Sequence, residues 1–174
     1  AFSNGYAFLI QAIGAELDTV FKEFCGFNTA DRKTIVDYAQ YILDKAPDIK
    51  NQKICIQEYD IEIQPFKTWD DRQPAQSLQW WNAFTNIKHN RHNQLRQAKQ
   101  ENVLNILGAL YLMEMLYLKK ITDGTNEFDI FDESSNLFTL KNWTYKAIPL
   151  SKTLAVFCDL TDDENSISNK KFDA

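Results

Sequence analysis

Five glycines are spread singly through 174 residues. They cannot form a dinucleotide-binding or Walker-type phosphate loop, since both need clustered glycines to bring backbone amides against phosphate. The chain contains neither a Gly-x-Ser-x-Gly elbow nor a His-Glu-x-x-His helix. A Ser-His-Asp triad would have to use one of its two histidines, His89 or His92, and no serine stands out beside them. The three cysteines, Cys25, Cys55 and Cys158, are odd in number, widely spaced and without a Cys-x-x-Cys pair. This argues against a disulfide framework or zinc knuckle and for free thiols packed as small core residues in a reducing compartment. The longest apolar run, Val103 to Leu118, is broken by Asn105 and Glu114 and falls short of the ~20 residues of a membrane span. No secretory leader is recognisable, and the first residue is Ala1 rather than Met. The expectation is a cytoplasmic protein without membrane association, whose natural chain begins earlier.

What is present is a globular composition: 44% hydrophobic and 13% aromatic residues. The length fits one domain, residues 1–174, able to bury a core without covalent staples. A net charge of −5 makes the chain a poor general nucleic-acid binder, so any such contact must come from a local patch.

The pattern of apolar residues predicts four main helices. Over residues 6–25, Leu9, Ile13, Leu17, Val20, Phe21 and Phe24 recur at helical spacing, with Glu16 at the edge of their face. Glu16 reads either as an acid on the rim of the core or as a partner for a buried cation. Gly26 is placed to close this helix. A second helix is expected over 30–45, capped by Asn28 or Thr29, with Asp31 in its first turn and Ile35, Ala39, Ile42 and Leu43 inward. From Lys53 the period changes to two. Ile54 and Ile56 share one parity, whereas Tyr59, Ile61 and Ile63 share the other, which means a bulge, a bend or two short strands within 53–66. A third helix over 75–90 starts near Pro74, and a fourth spans 95–119. The fourth is apolar nearly all round, as in a helix central to a bundle or facing a second subunit, and Gly108 and Ala109 would let another backbone approach. Residues 122–135 read as an acidic loop, with five acids and no base between Asp123 and Glu133. "NLFTLKNW" and "KTLAVFCDL" read as short strands or irregular packing segments, and 161–174 as a polar tail.

The stretch "WWNAFTNIKHNRHNQLRQAKQ" carries the candidate chemistry. At about 100° per residue, Trp80, Phe84 and Ile87 share one helix face, and Asn82, Asn86 and His89 share the opposite one. Asn93 joins the second face if the helix continues. A polar face is commonly just solvated, but this one has amides and an imidazole where Glu, Lys and Arg are usual. It therefore also reads as a hydrogen-bonding surface of low net charge. Lys88, Arg91, Arg96 and Lys99, with His89 and His92, form a stretch without an acid. Such a patch either grips phosphates or pairs with the acidic segments. His89 and His92 are helix neighbours, but a metal site needs further ligands. Glu101, the nearest carboxylate in sequence, has no spacing that recommends it. No metal and no cofactor are expected.

The paired Trp80 and Trp81, "NAFTNIKHNR" and "ENVLNILGALYLMEMLYL" together resemble the helical core of HEPN-like domains of uncharacterised bacterial proteins, over residues 78–120. "AIGAELDTVFKEFC" fits that pattern more loosely. The resemblance implies a mainly α, up-and-down helical bundle with a small β insertion and an irregular C-terminal segment, commonly a homodimer. It also implies a setting in antiphage defence, toxin–antitoxin or stress systems, where active members are metal-independent ribonucleases with an Arg-x4–6-His signature. His89 matches the histidine of that signature. Asn82, Ala83 and Phe84 stand where the arginine would be sought, and none supplies a guanidinium. The expectation is a non-catalytic or degenerate HEPN-like dimerising module that binds RNA. One alternative is a metal-independent ribonuclease with a degenerate motif, using His89 with Lys88 or Arg91, with Asn86 and Asn82 as the other candidate catalytic residues. Another is a regulatory protein with a protein partner. Lys88, Arg91, His92, Arg96 and Lys99 are the expected RNA contacts.

Overall fold

The computed structural model describes residues 1–28, 30–121, 127–130, 135–141 and 143–147, with 127–130 and 144–147 described as backbone. The chain is mainly helical: α1 (Asn4–Cys25), α2 (Ile35–Lys45), the short α3 (Pro74–Ser77), α4 (Gln79–Gln94) and α5 (Gln100–Ile121). The strands are β1 (Ile54–Ile56), β2 (Ile61–Ile63), β3 (Glu127–Ile130), β4 (Phe138–Leu140) and β5 (Thr144–Ala147). No helix among the described residues is long and apolar enough to cross a membrane.

Ser3 caps α1 by accepting the Tyr6 amide at 3.1 Å. Gly26, at φ 70°, ends it: its own N–H bonds the Glu23 carbonyl and the Phe27 N–H bonds that of Lys22. Such a left-handed closure favours glycine. The buried stripe of α1 is Ala7, Ile10, Gly14, Leu17, Phe21 and Phe24. It is rotated from the expected one. Leu9 lies about 100° round from Ile10 and is 43% exposed. Glu16 is exposed too, and its charge, after burial, contributes to raising the Glu114 carboxyl pKa.

α2 begins later than the sequence suggests. The Asn28 side chain is used in a turn, accepting the Ala30 amide at 3.0 Å, and Thr34 takes the cap position. Asp37 accepts the Thr34 amide at 2.8 Å and its hydroxyl at 2.9 Å.

The parity switch at Glu58 is a hairpin. β1 and β2 pair antiparallel, Ile54 with Ile63 and Ile56 with Ile61. The turn holds an even number of residues, so facing side chains have opposite parity. Asp60 enters the left-handed region at φ 49°, which short polar side chains tolerate. β4 pairs on the other edge of β1, giving the order β2-β1-β4. Glu62 bridges Lys53 at 2.6 Å and also Lys141, tying both edges together. The acidic stretch 122–135 is not wholly a loop: its residues 127–130 form β3, parallel to β5, where backbone hydrogen bonding outweighs the charge pattern. The rest of its residues up to 134, the segment 152–160 with Cys158, and the tail 161–174 lie outside the described residues.

The all-round apolarity of α5 has an intramolecular cause. α1 packs on one side and the three-stranded sheet on another. A Cβ on Gly108 would stand 2.6 Å from Ile63 Cδ1 and 3.2 Å from Ile54 Cδ1. The room that Gly108 leaves is thus filled by the hairpin of the same chain. Tyr111 meets Phe138 of β4 with ring centroids 5.5 Å apart. The core centres on Phe21, whose ring lies 5.1 Å from Tyr38, 5.6 Å from Trp81 and 5.9 Å from Trp69. Trp69 and Phe66 are fully buried although they come from the connection before α3. Burial also pushes the Cys25 thiol up to about 12, the mark of an inert core cysteine.

Trp80, Phe84 and Ile87 are buried as their spacing predicts. On α5 the enclosed residues are Ile106, Ala109 and Met113, whereas Leu107 and Leu110 are half-buried and packed against the same core. The Phe84 ring lies on Gly14: a Cβ there would be 2.3 Å from its Cδ2. Phe84→Ala should cost about 3–5 kcal/mol in urea unfolding, and a parent-like midpoint would contradict the enclosure of this ring.

The Glu62 carboxyl is held down to about 2, against an ordinary 4.5, by its bonds to Lys141 and then Lys53. A depressed carboxyl contributes stability above its unfolded pKa and loses it as pH falls through the folded one. The gap in Tm between parent and Glu62→Gln should therefore be largest above pH 4.5 and shrink toward about pH 2. A gap independent of pH would show that charge at Glu62 does not hold the sheet edges.

Candidate functional site

Helical spacing fixes which side of α4 is available for chemistry. With Trp80, Phe84 and Ile87 turned into the core, Asn82 and Asn86 face outward. Trp80 Nε1 donates to the Pro65 carbonyl at 2.8 Å, which fixes the rotation of the helix. The helical path breaks at Asn90, with φ −150° and ψ 66°. The chain then turns through a short 3-10 segment, Leu95–Gln97, and the fully buried Ala98 into α5. This reversal brings Gln97 back against Asn86.

The result is a chain of amides. Asn86 Nδ2 donates to Asn82 Oδ1 at 3.0 Å and to Gln97 Oε1 at 3.2 Å. Gln97 Nε2 donates to Gln94 Oε1 at 2.7 Å. Asn102 Nδ2 donates to the Gln97 carbonyl at 2.8 Å. Each link holds the next, so the amide groups cannot turn independently.

Beside this chain lies a cleft of about 540 Å³. Asn82, Gln97 and Asn102 form its amide wall, Arg96 and Lys99 supply positive charge, and Gln79 and Phe2 complete it. No acid lines it. Phe2 is held there by backbone: it forms a β-bridge with Lys99, and the Ser3 N–H donates to the Ala98 carbonyl at 3.2 Å. Lys99 and Asn102 also stand at the start of α5, where unpaired amides and the helix dipole add positive potential.

The candidate residues thus divide into two sets. Asn82, Asn86, Arg96 and Lys99 are brought together at or beside the cleft. The other four are not lining residues. Lys88 lies over the Phe84 ring, 5.6 Å from its centroid. Arg91 Nη2 donates to the Asn4 carbonyl at 3.1 Å, tying the kink to the start of α1. His89 and His92 are exposed, and no group of three metal-binding side chains occurs among the described residues. The single basic patch of the sequence is split because the break at Asn90 redirects the chain.

Sequence reasoning missed Phe2, Gln79, Gln97 and Asn102. Asn102 carried a usable signal. It precedes Ile106, Ala109 and Met113 on the inward stripe of α5, and a lone amide on an apolar stripe calls for a partner. Asn105, the polar residue that first draws the eye in this helix, only donates back to the Glu101 carbonyl at 2.9 Å. Asn102→Leu should leave the Gln97 carbonyl without its donor and cost about 1–3 kcal/mol in chemical denaturation. An unchanged midpoint would show that the amide chain carries no structural weight. Comparisons with protein-family models, with curated proteins and with solved structures find no match to this chain.

Proposed function

We propose that the protein is a non-catalytic, HEPN-like helical module that binds single-stranded RNA through the cleft between α4 and the start of α5, in a bacterial defence or stress setting. One observation carries the RNA-binding part: Arg96 and Lys99 share a cleft with a fixed wall of amides, and no acid lines it among the described residues. Guanidinium and ammonium groups answer phosphate charge, and carboxamides donate to and accept from ribose hydroxyls and base edges. The overall charge of −5 opposes diffuse binding, so affinity must come from this local field. The HEPN-like assignment and the setting rest on the resemblance of residues 78–120. Self-association, common in that family, would draw on apolar side chains such as Leu9 on α1, which is exposed.

Ribonuclease activity through His89 is the weaker reading. His89 stands outside the cleft, and among the described residues it makes no hydrogen bond to a cation that would stabilise a cleaved phosphate. The test is fluorescence anisotropy of a labelled mixed-sequence single strand, in EDTA, between about 50 and about 200 mM salt. Binding should weaken with salt. Arg96→Ala and Lys99→Ala should each lower affinity and flatten the log–log salt slope by about 0.7 per lost phosphate contact. No binding at the lowest salt would refute the proposal. RNA cleavage that disappears in His89→Ala would favour the ribonuclease reading instead.

A further inference from the structure

The cleft has features that phosphate binding does not use. Asn102 is only 4% exposed. Its Nδ2 is committed to the Gln97 carbonyl, while its Oδ1 accepts no hydrogen bond among the described residues. Asn102 lines the cleft, so this free acceptor is one that a ligand N–H can reach. Asn82 is its complement. Its Oδ1 is taken by Asn86, which leaves its own Nδ2 as a donor at the same cleft. Phe2 is the third feature. It is 51% exposed, yet the bridge to Lys99 and the Ser3–Ala98 bond fix its backbone, so the exposed ring is a placed surface rather than a frayed end.

We infer that the cleft receives one unpaired nucleotide, with its base against the Phe2 ring, its hydrogen-bonding edge between Asn102 Oδ1 and Asn82 Nδ2, and its phosphate toward Arg96 and Lys99. The Watson–Crick edge of every base presents an adjacent donor and acceptor, so a facing acceptor and donor match a base without selecting which one. A base already paired in a duplex has spent that edge, so the ligand is a splayed-out base. The volume, about 540 Å³, is in the range of pockets that enclose a small ligand. This inference rests on the RNA-binding reading for its biological source. The same chemistry would hold a free nucleotide.

The experiment is an NMR titration of the full chain, following side-chain amide signals, with nucleoside 5′-monophosphates, ribose 5-phosphate and inorganic phosphate in parallel. The nucleotides should bind on the order of tenfold more tightly than ribose 5-phosphate, the increment that stacking one base supplies. They should also move the Asn82 and Asn102 amide signals, which inorganic phosphate should leave in place. Phe2→Ala, in a segment outside the core, should remove the nucleotide advantage while ribose 5-phosphate binds as before. Equal binding of nucleotides and ribose 5-phosphate overturns the inference, and if labelled RNA still binds, the phosphate-binding proposal stands without it. Nucleotide binding without RNA binding supports the base pocket and assigns it to free nucleotides. If no nucleotide binds, the base pocket is refuted, whatever RNA does.

Discussion

The contact of the Phe84 ring with Gly14 constrains much of the rest. No side chain fits at residue 14, because even a Cβ would sit inside the ring's van der Waals envelope. α1 and α4 can therefore approach closely at this point, with Trp81 stacked edge-on against Phe84, centroids 5.2 Å apart. Trp81 in turn reaches Phe21, which joins the aromatic group of Tyr38, Phe66 and Trp69. Close packing at one glycine thus fixes the rotation of α4, and that rotation decides which of its side chains meet solvent.

The polar side of the molecule follows from the same constraint. With α4 locked, Asn82 and Asn86 must point away from the core, and the break at Asn90 sends the chain back so that Gln97 can meet them. The amide chain joins two segments that hydrophobic burial alone would leave free to slide. Its bonds are directional, whereas apolar contacts are not. Arg91 contributes by a bond to the Asn4 carbonyl at the start of α1. A cation that looks available for ligand binding in the sequence is therefore engaged in holding the turn.

α5 shows how one local pattern can have two causes. Apolar residues around most of its circumference demand partners on several sides. A second subunit would satisfy that demand, but β1, β2 and β4 do so within the chain, with Ile54 and Ile63 beside Gly108 and Phe138 beside Tyr111. The partner was hard to foresee because three strands of three residues each carry little periodicity, and β4 joins β1 from more than eighty positions away.

Local chemistry in the sequence determined the helices, the Gly26 closure, the change to β structure after Lys53 and the inward face of α4, since each depends on spacing and steric rules that act over a few residues. The same rules fixed Asn82 and Asn86 on the outer face. The start of α2 at Thr34 is local too, set by the Thr34–Asp37 capping box. Only the tertiary structure decided that Leu9 turns outward and that Trp69 and Phe66 enter the core from an irregular connection. It also decided that Lys88 covers Phe84 while Arg96 and Lys99 reach the cleft. A run of basic residues specifies charge but not direction. Direction was set by the break at Asn90 and by the pairing of Phe2 with Lys99, a long-range contact that no local pattern encodes.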